Sequence, residues 1–340
     1  MEVSLRNDPA AFFEEAAGFL EREPFTANVI GVWVSALLAG RAEGSPEDAF
    51  VLVREEGEVV GAAMHTPPHL VNLPRLPAGS PAAIARAMAT AGRRPPGVGG
   101  IVSSTREFAA AWEKETGEAS VVTTSMRLYV LGELTRPAGV PGRPRRAGPG
   151  DEEVVASFST AFTEEAQPGR PHDLGHVLRR LAAGDLFLWE DRGEAVSMAG
   201  YGRPAAGVAR VGPVYTPPGR RGRGYGSAVT AHVSALARTE RGAAHVVLYT
   251  DLANATSNSI YQAIGYRPDH DAEERTFGRG PSGARGALRS SAPRSARGRP
   301  GDPPPPPGPQ RGPRSRPRQQ GRRPASPSRQ PGRGRSRSPC

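Results

Sequence analysis

VGPVYTPPGRRGRGYGSAVTAHVSAL, residues 211–236, decides how this chain is read. The run opens as a β-branched strand ending at Thr216, and Pro217-Pro218 closes it because proline has no N–H to donate to a ladder. Arg221-Gly222-Arg223-Gly224-Tyr225-Gly226 leads straight into an amphipathic stretch that predicts a helix over Tyr225–Thr239. Glycines let the backbone turn and approach a ligand closely. The first N–H groups of the helix then point one way, and its dipole favours an anion there. Arg221 and Arg223 add formal charge. This is a pyrophosphate cradle made of backbone donors, without a nucleophile or a metal. Taken alone, a Gly-x-Gly also fits an ordinary strand-to-helix turn. Two other phosphate loops are excluded. A P-loop needs Gly-Lys-Ser/Thr, and a dinucleotide-binding loop follows the first strand of its domain with an acid about 20 residues on. The present loop follows a third or fourth strand.

Outward from it the grammar is α/β. Downstream, VLYTDLANATSNSIYQAIGYR, residues 247–267, predicts a strand over His245–Asp251 and a helix over Ala255–Ile264, opened by Asn254 and stopped by Gly265. Ser257, Tyr261 and Ile264 share one face of that helix by spacing. A closing strand lies near Glu273–Phe277. Upstream, Asp151 caps a helix reaching Glu165, and a second helix covers His172–Ala183. Strands follow at Asp185–Glu190, Glu194–Gly202 and Val208–Thr216, the first two joined by the hairpin signal Asp191-Arg192-Gly193.

These two segments resemble motifs A and B of the GNAT superfamily of acetyl-CoA-dependent N-acetyltransferases. Arg221–Gly226 is similar to the family's Gln/Arg-x-x-Gly-x-Gly/Ala loop, and Asn254–Tyr266 to its Asn-x-x-(small)-x-x-aliphatic-Tyr-x-x-x-Gly-Phe/Tyr helix. The match is specific over about 205–267 and looser over 145–205. It implies a GNAT-like mixed, mostly antiparallel sheet flanked by helices. It implies a bulge in the strand before the loop, where Pro213 suits a break in pairing. Acetyl-CoA is the implied co-substrate, with no metal. Backbone groups of Val214, Tyr215 and Thr216 would bond the pantetheine arm. N–H groups from Gly222 through Arg223, Gly224, Tyr225 and Gly226 to Ser227 would hold the pyrophosphate, with Arg221 beside them. Asn254 and Asn258 would sit near the pantetheine, and Tyr261 would protonate the leaving thiolate. A tyrosine at helical spacing is otherwise a core aromatic. Glu190 and Asp251 read as solvated strand-end acids and His232 as structural or exposed, so no general base is assigned.

The first 135 residues parallel this layout. Ala11, Phe12, Ala16, Phe19 and Leu20 predict a helix capped by Asp8-Pro9. Strands are expected at Ala49–Arg54 and Val59–His65, helices at Ala82–Thr90 and Thr105–Thr116, and one or two strands over Ser120–Leu131. Phe108–Gly117 looks like an eroded Ile260–Gly265, with Trp112 near the tyrosine position. The candidate loop Arg93-Arg94-Pro95-Pro96-Gly97 has prolines where donors are needed. Two readings stand: a degenerate GNAT-like domain, or an unrelated α/β domain. Tandem GNAT proteins with one inactive half, such as the mycothiol synthases, resemble the first. Residues 136–150, rich in Pro, Gly and Arg, are a linker or an edge strand into a domain spanning 151–277.

Charge is unevenly spread. The whole chain carries +10, but Arg279–Cys340 holds 16 arginines against the single acid Asp302, which leaves 28 basic and 33 acidic residues before it. The globular part is therefore mildly acidic, and the basic pI belongs to the tail. Residues 278–340, with Pro303–Pro307 unbroken, have too little apolar surface to offset chain entropy and are expected to be disordered. Their arginines would meet nucleic acid only nonspecifically, through phosphate charge. One cysteine, Cys340, excludes an intrachain disulfide, and no Cys/His cluster has metal-ligand spacing. The longest apolar run, Val29–Gly40, is short of the roughly 20 residues that span a bilayer. A cytoplasmic bacterial enzyme without membrane contact is expected, acetylating a primary amine of a small molecule. The alternatives are a non-catalytic acyl-CoA sensor and a nucleic-acid-associated protein acting through its tail.

Overall fold

The first half of the computed structural model, which describes residues 1–166 and 172–279, runs β1 (Glu2–Arg6), α1 (Pro9–Arg22), α2 (Asn28–Leu38), β2 (Ala49–Glu55), β3 (Glu58–His65), β4 (Val71–Leu73), α3 (Ser80–Thr90), β5 (Gly97–Ile101), α4 (Val102–Thr116) and β6 (Glu118–Leu131). The second half repeats that order: β7 (Arg143–Arg146), α5 (Glu152–Ala166), α6 (Leu174–Ala182), β8 (Leu186–Asp191), β9 (Glu194–Tyr201), β10 (Val208–Tyr215), α7 (Tyr225–Thr239), β11 (His245–Asp251), α8 (Ala255–Ala263) and β12 (Tyr266–Arg279). Local chemistry sets these elements in both halves. The Asp8 carboxylate accepts from Ala10 N at 2.8 Å to cap α1, whose buried stripe is Phe12, Ala16, Phe19 and Leu20. The β2–β3 and β8–β9 hairpins each turn on two left-handed residues, Glu56-Gly57 and Arg192-Gly193, the geometry that matches strand twist.

The twelve strands of the described residues form one sheet, in the order β1-β2-β3-β4-β5-β12-β6-β11-β10-β9-β8-β7. It is antiparallel except for β4/β5 and β10/β11. The two closing strands are exchanged. β6, from the first half, pairs with β11, and β12, from the second, pairs with β5. β6 and β12 pair with each other along their whole length, from Tyr266↔Leu131 to Arg279↔Glu118. The stretch 136–150 carries the edge strand β7, which pairs with β8.

Helices cover both faces. In the second half α7 and α8 pack Tyr225, Val229 and Tyr261 onto Val211, Val246 and Leu248, while α5 and α6 pack Val155, Phe158 and Leu181 onto Leu186, Met198 and Tyr215. The expected loop at Arg93–Gly97 is corrected by this order. It joins α3 to β5, whereas the counterpart of the Arg221 loop lies between β4 and α3, at Pro74–Gly79. There an anion is already in place: the Glu107 carboxylate, from α4, accepts from Gly79 N at 2.7 Å at the α3 N-terminus. Beside it β4 and β5 close tightly, since a Cβ at Gly100 would lie 1.9 Å from the Leu73 carbonyl oxygen. Trp112, at the tyrosine position, is fully buried and donates its indole N–H to Glu118 at 3.0 Å. The first half thus repeats the element order, with the Glu107 carboxylate set at the α3 N-terminus. The expected disordered tail, from Gly280 onward, lies outside the described residues.

Candidate active site

The site is a gap in the sheet. β10 and β11 pair in parallel only from Val208↔His245 to Arg210↔Val247, although β10 runs on to Tyr215 and β11 to Asp251. Beyond Arg210 the strands part. The cause is in β10, where the register with β9 shifts between Val211 and Val214 around Gly212-Pro213, and Pro213 has no N–H to keep a ladder. Arg180 on α6 holds the break. Its guanidinium donates to Gly212 O at 2.8 Å and Tyr201 O at 3.1 Å, and burial pushes its pKa down to about 10 against the pull of Asp185. The sequence reading missed this residue, which nothing local distinguishes from other helical arginines.

At the open end of β10 lies the glycine-rich loop. Gly222 and Gly224 have φ of 75° and 81°, and Gly224 is the left-handed cap of α7. By helix geometry the first N–H groups of α7, from Tyr225, have no intrahelical acceptor. A Cβ at Gly222 would meet nothing within 4 Å, so the loop faces open space. Gly224 is different: a Cβ there would lie 2.9 Å from Val140 Cγ2, so this glycine is required by the fold itself. The side chains largely serve the loop. Arg221 donates to Thr216 O at 2.9 Å and to Glu165 at 2.5 Å, and Tyr215 donates to the same carboxylate at 2.9 Å. The Arg221 hydrogen bond holds the Glu165 carboxyl below its usual range. Arg221 is therefore a brace that ties the loop to α5, and Arg223, exposed and without an ion pair among the described residues, is the loop's available charge. Tyr225 is buried and donates to Asp191 at 2.7 Å, so only its backbone is available to a ligand. The Ser227 hydroxyl donates to Gly224 O at 2.8 Å. Val214 packs against the α7 core, and the Thr216 hydroxyl meets Ser197 Oγ at 2.8 Å.

The other wall is β11 and α8. Asn254 caps α8, its side chain accepting from Ser257 N at 2.9 Å. Asn258 donates to Asp251 O at 2.9 Å and Asn254 O at 2.8 Å and accepts from Tyr129 at 2.8 Å. Both asparagines thus build the wall, and Tyr129 comes from the exchanged strand β6. The Tyr261 ring lies in the core, 6.2 Å edge-on from Tyr266, and burial pushes its phenol up to about 12 against the influence of the Ser257 hydroxyl. Glu190 is ion-paired with Arg145 at 2.8 Å, Asp251 accepts from Ala253 N at 2.7 Å, and His232 packs edge-on to Phe187. Glu190 and His232 are thus engaged in an ion pair and in ring packing, while Asp251 is exposed at the end of β11.

Known proteins match this arrangement. Residues 152–266 match the Acetyltransferase (GNAT) family. A mycothiol acetyltransferase of Salinispora tropica is 31% identical over 141 residues, 38% of this chain and 45% of that protein. The match thus spans less than half the length of this curated relative. Among solved structures, a GNAT-family acetyltransferase from Colwellia psychrerythraea superposes with a TM-score of 0.52 at 9% identity, over 82% of this chain and 99% of its own. A Drosophila protein does so with 0.58 at 13%, over 82% and 98%. A GCN5-related N-acetyltransferase from Sphaerobacter thermophilus gives 0.52 at 17%, over 81% and 95%. At such identities the likeness is one of fold, and it takes in both halves.

Proposed function

Residues 152–266 are a GNAT-family acetyltransferase domain, and from that premise we propose that the chain moves an acetyl group from acetyl-CoA to a primary amine of a small molecule. The observation that carries this is the parting of β10 and β11 beyond Arg210, with a glycine loop and a helix N-terminus at its open end. A slot between strands takes a narrow chain such as pantetheine. Backbone donors at the end of the slot take a pyrophosphate. The name of the Salinispora relative supports a small-molecule acceptor over a protein.

The pyrophosphate lies on N–H groups between Gly222 and Ser227, with Arg223 adding charge. The pantetheine follows Val214, Tyr215 and Thr216. Asn254 and Asn258 act on it indirectly, by fixing the end of β11 and the start of α8. Tyr261 keeps its proton at neutral pH and gives it to the thiolate as the C–S bond breaks. The first half binds no second acetyl-CoA, because Glu107 fills its anion site and β4 and β5 leave no slot. Thiol release from acetyl-CoA, followed over a panel of amines, amino acids and amino sugars, tests the proposal. An acceptor that raises release well above the rate in buffer is the expected result. A protein that binds acetyl-CoA but turns over none of the panel would favour the sensor.

A further inference from the structure

We infer that Tyr249, His270 and Asp269 form the proton-accepting relay of the site, at which the acceptor amine loses its proton. This rests on the acetyl-transfer reading. Tyr249 lies on β11 two residues beyond Val247, the last residue paired to β10, so it stands where the gap opens. By strand alternation it shares a face with Val247, and it packs with Val247, Val208 and Leu128 and with Phe25 of the first half. Tyr261, the proposed acid, is on the other face, with Val246 and Leu248. An amine can thus enter from one side of the sheet while the thiolate is protonated from the other.

The three groups are arranged in series. The Tyr249 hydroxyl lies 3.5 Å from His270 Nε2, and His270 Nδ1 lies 2.7 Å from Asp269 Oδ2. The His270 side chain is 8% exposed, so its tautomer is set by these neighbours rather than by water. A carboxylate on Nδ1 fixes the proton there, and leaves the Nε2 lone pair facing the phenol. The distance to the phenol is at the long end for a hydrogen bond, as is common before substrate binds. Burial pushes the phenol up to about 12, with Arg210 pulling down and Asp269 pushing up. Tyr249 is therefore a neutral conduit rather than the base. The amine's proton passes to the Tyr249 oxygen as the phenol's own proton moves to Nε2. The neutral amine attacks the thioester carbonyl, and the N–C bond forms as the C–S bond breaks. The thiolate takes its proton from Tyr261, and the second proton shed by the acylated nitrogen leaves to solvent, which reprotonates the Tyr261 phenolate. Asp269 stabilises the resulting imidazolium, which returns its proton to solvent before the next turnover. The charged or titratable groups on this side also include Arg22, Glu23, Arg75 and His245, which line a cavity with Asp269, and His176 and Arg180 on α6 and Arg210 on β10.

The test uses the full chain with acetyl-CoA and the best amine of the panel, beside hydroxylamine, which is already neutral at pH 7. H270Q should lower kcat with the amine roughly 10²-fold at pH 7. The loss should shrink as pH rises and solvent deprotonates the amine. Transfer to hydroxylamine and the KM for acetyl-CoA should stay near the wild-type values. Y249F, which removes one oxygen, should show the same pattern more weakly, and it carries the test if H270Q does not fold. Wild-type rates and pH profiles in the folded variants, or an equal loss with hydroxylamine, would overturn the relay. A wild-type protein that transfers acetyl to neither nucleophile would overturn the acetyl-transfer reading instead, and the relay with it.

Discussion

Removing the first half should unfold the second, because the two repeats share their closing strands. A fragment of residues 140–279 has the whole glycine loop, α7, β11, α8 and β12. It lacks β6, which pairs with β11 from Val247↔Val130 to Asp251↔Met126 and with all of β12. Leu128, Tyr129 and Leu131 of β6 are 0%, 1% and 4% exposed. At about 1.5–3 kcal/mol for each buried side chain, the fragment loses roughly 4–9 kcal/mol before any ladder hydrogen bond is counted. That is most of the 5–15 kcal/mol by which a domain is ordinarily stable. It also exposes facing edges of β11 and β12, which invite association. A fragment of 118–279 restores β6. Thermal melts by circular dichroism should show a cooperative transition for 118–279 and none for monomeric 140–279. A cooperative melt of monomeric 140–279, with acetyl-CoA binding intact, would refute the claim that the exchanged strand holds the site.

Tyr261→Phe should lower turnover by roughly 10²-fold with the affinity for CoA nearly level. Because burial raises the phenol to about 12, the donor form is full from pH 6 to 10, and the deficit should be constant across that range in a pH–rate profile. Glu107→Ala should cost the α3 N-terminus its carboxylate, about 0.5–2 kcal/mol, seen as a lower melting temperature with no change in the rate of acetyl transfer. Arg223→Ala should weaken CoA binding more at low than at high salt, since an exposed charge is screened. A salt-independent loss would show a different role. A chain ending at Gly280 should keep its melt and its transfer rate at physiological salt, and a folded but inactive product would tie the tail to the site.

What the sequence discloses is what short-range physics fixes. α7 and β11 fall at the predicted residues because the period of apolar positions and the flanking glycines and prolines are local signals. β1, β4 and β5 escape that reading: β4 is only three residues and β5 reads GVGGI, a run with little strand propensity, held by close packing against β12. β12 is longer than Glu273–Phe277, since Pro268 and the acids around His270 look like loop, yet β6 pairs with them and holds them as strand. The exchange of β6 and β12 leaves no trace in either strand. In the site, the loop and α8 are legible from residue type and spacing, but the partners are not. Arg221 looks like a phosphate ligand until Glu165, 56 residues away, is seen to hold it. Tyr249 and His270 are 21 residues apart on strands separated by β6, so nothing short of the sheet order brings them together.

The central claim, that only the second half of this tandem fold keeps a working acyl-CoA site, is tested most directly by titrating the full chain with acetyl-CoA in a calorimeter. One site per chain is predicted, with binding retained in Glu107→Ala and weakened in Arg223→Ala. Two equivalent sites, or none, would contradict it.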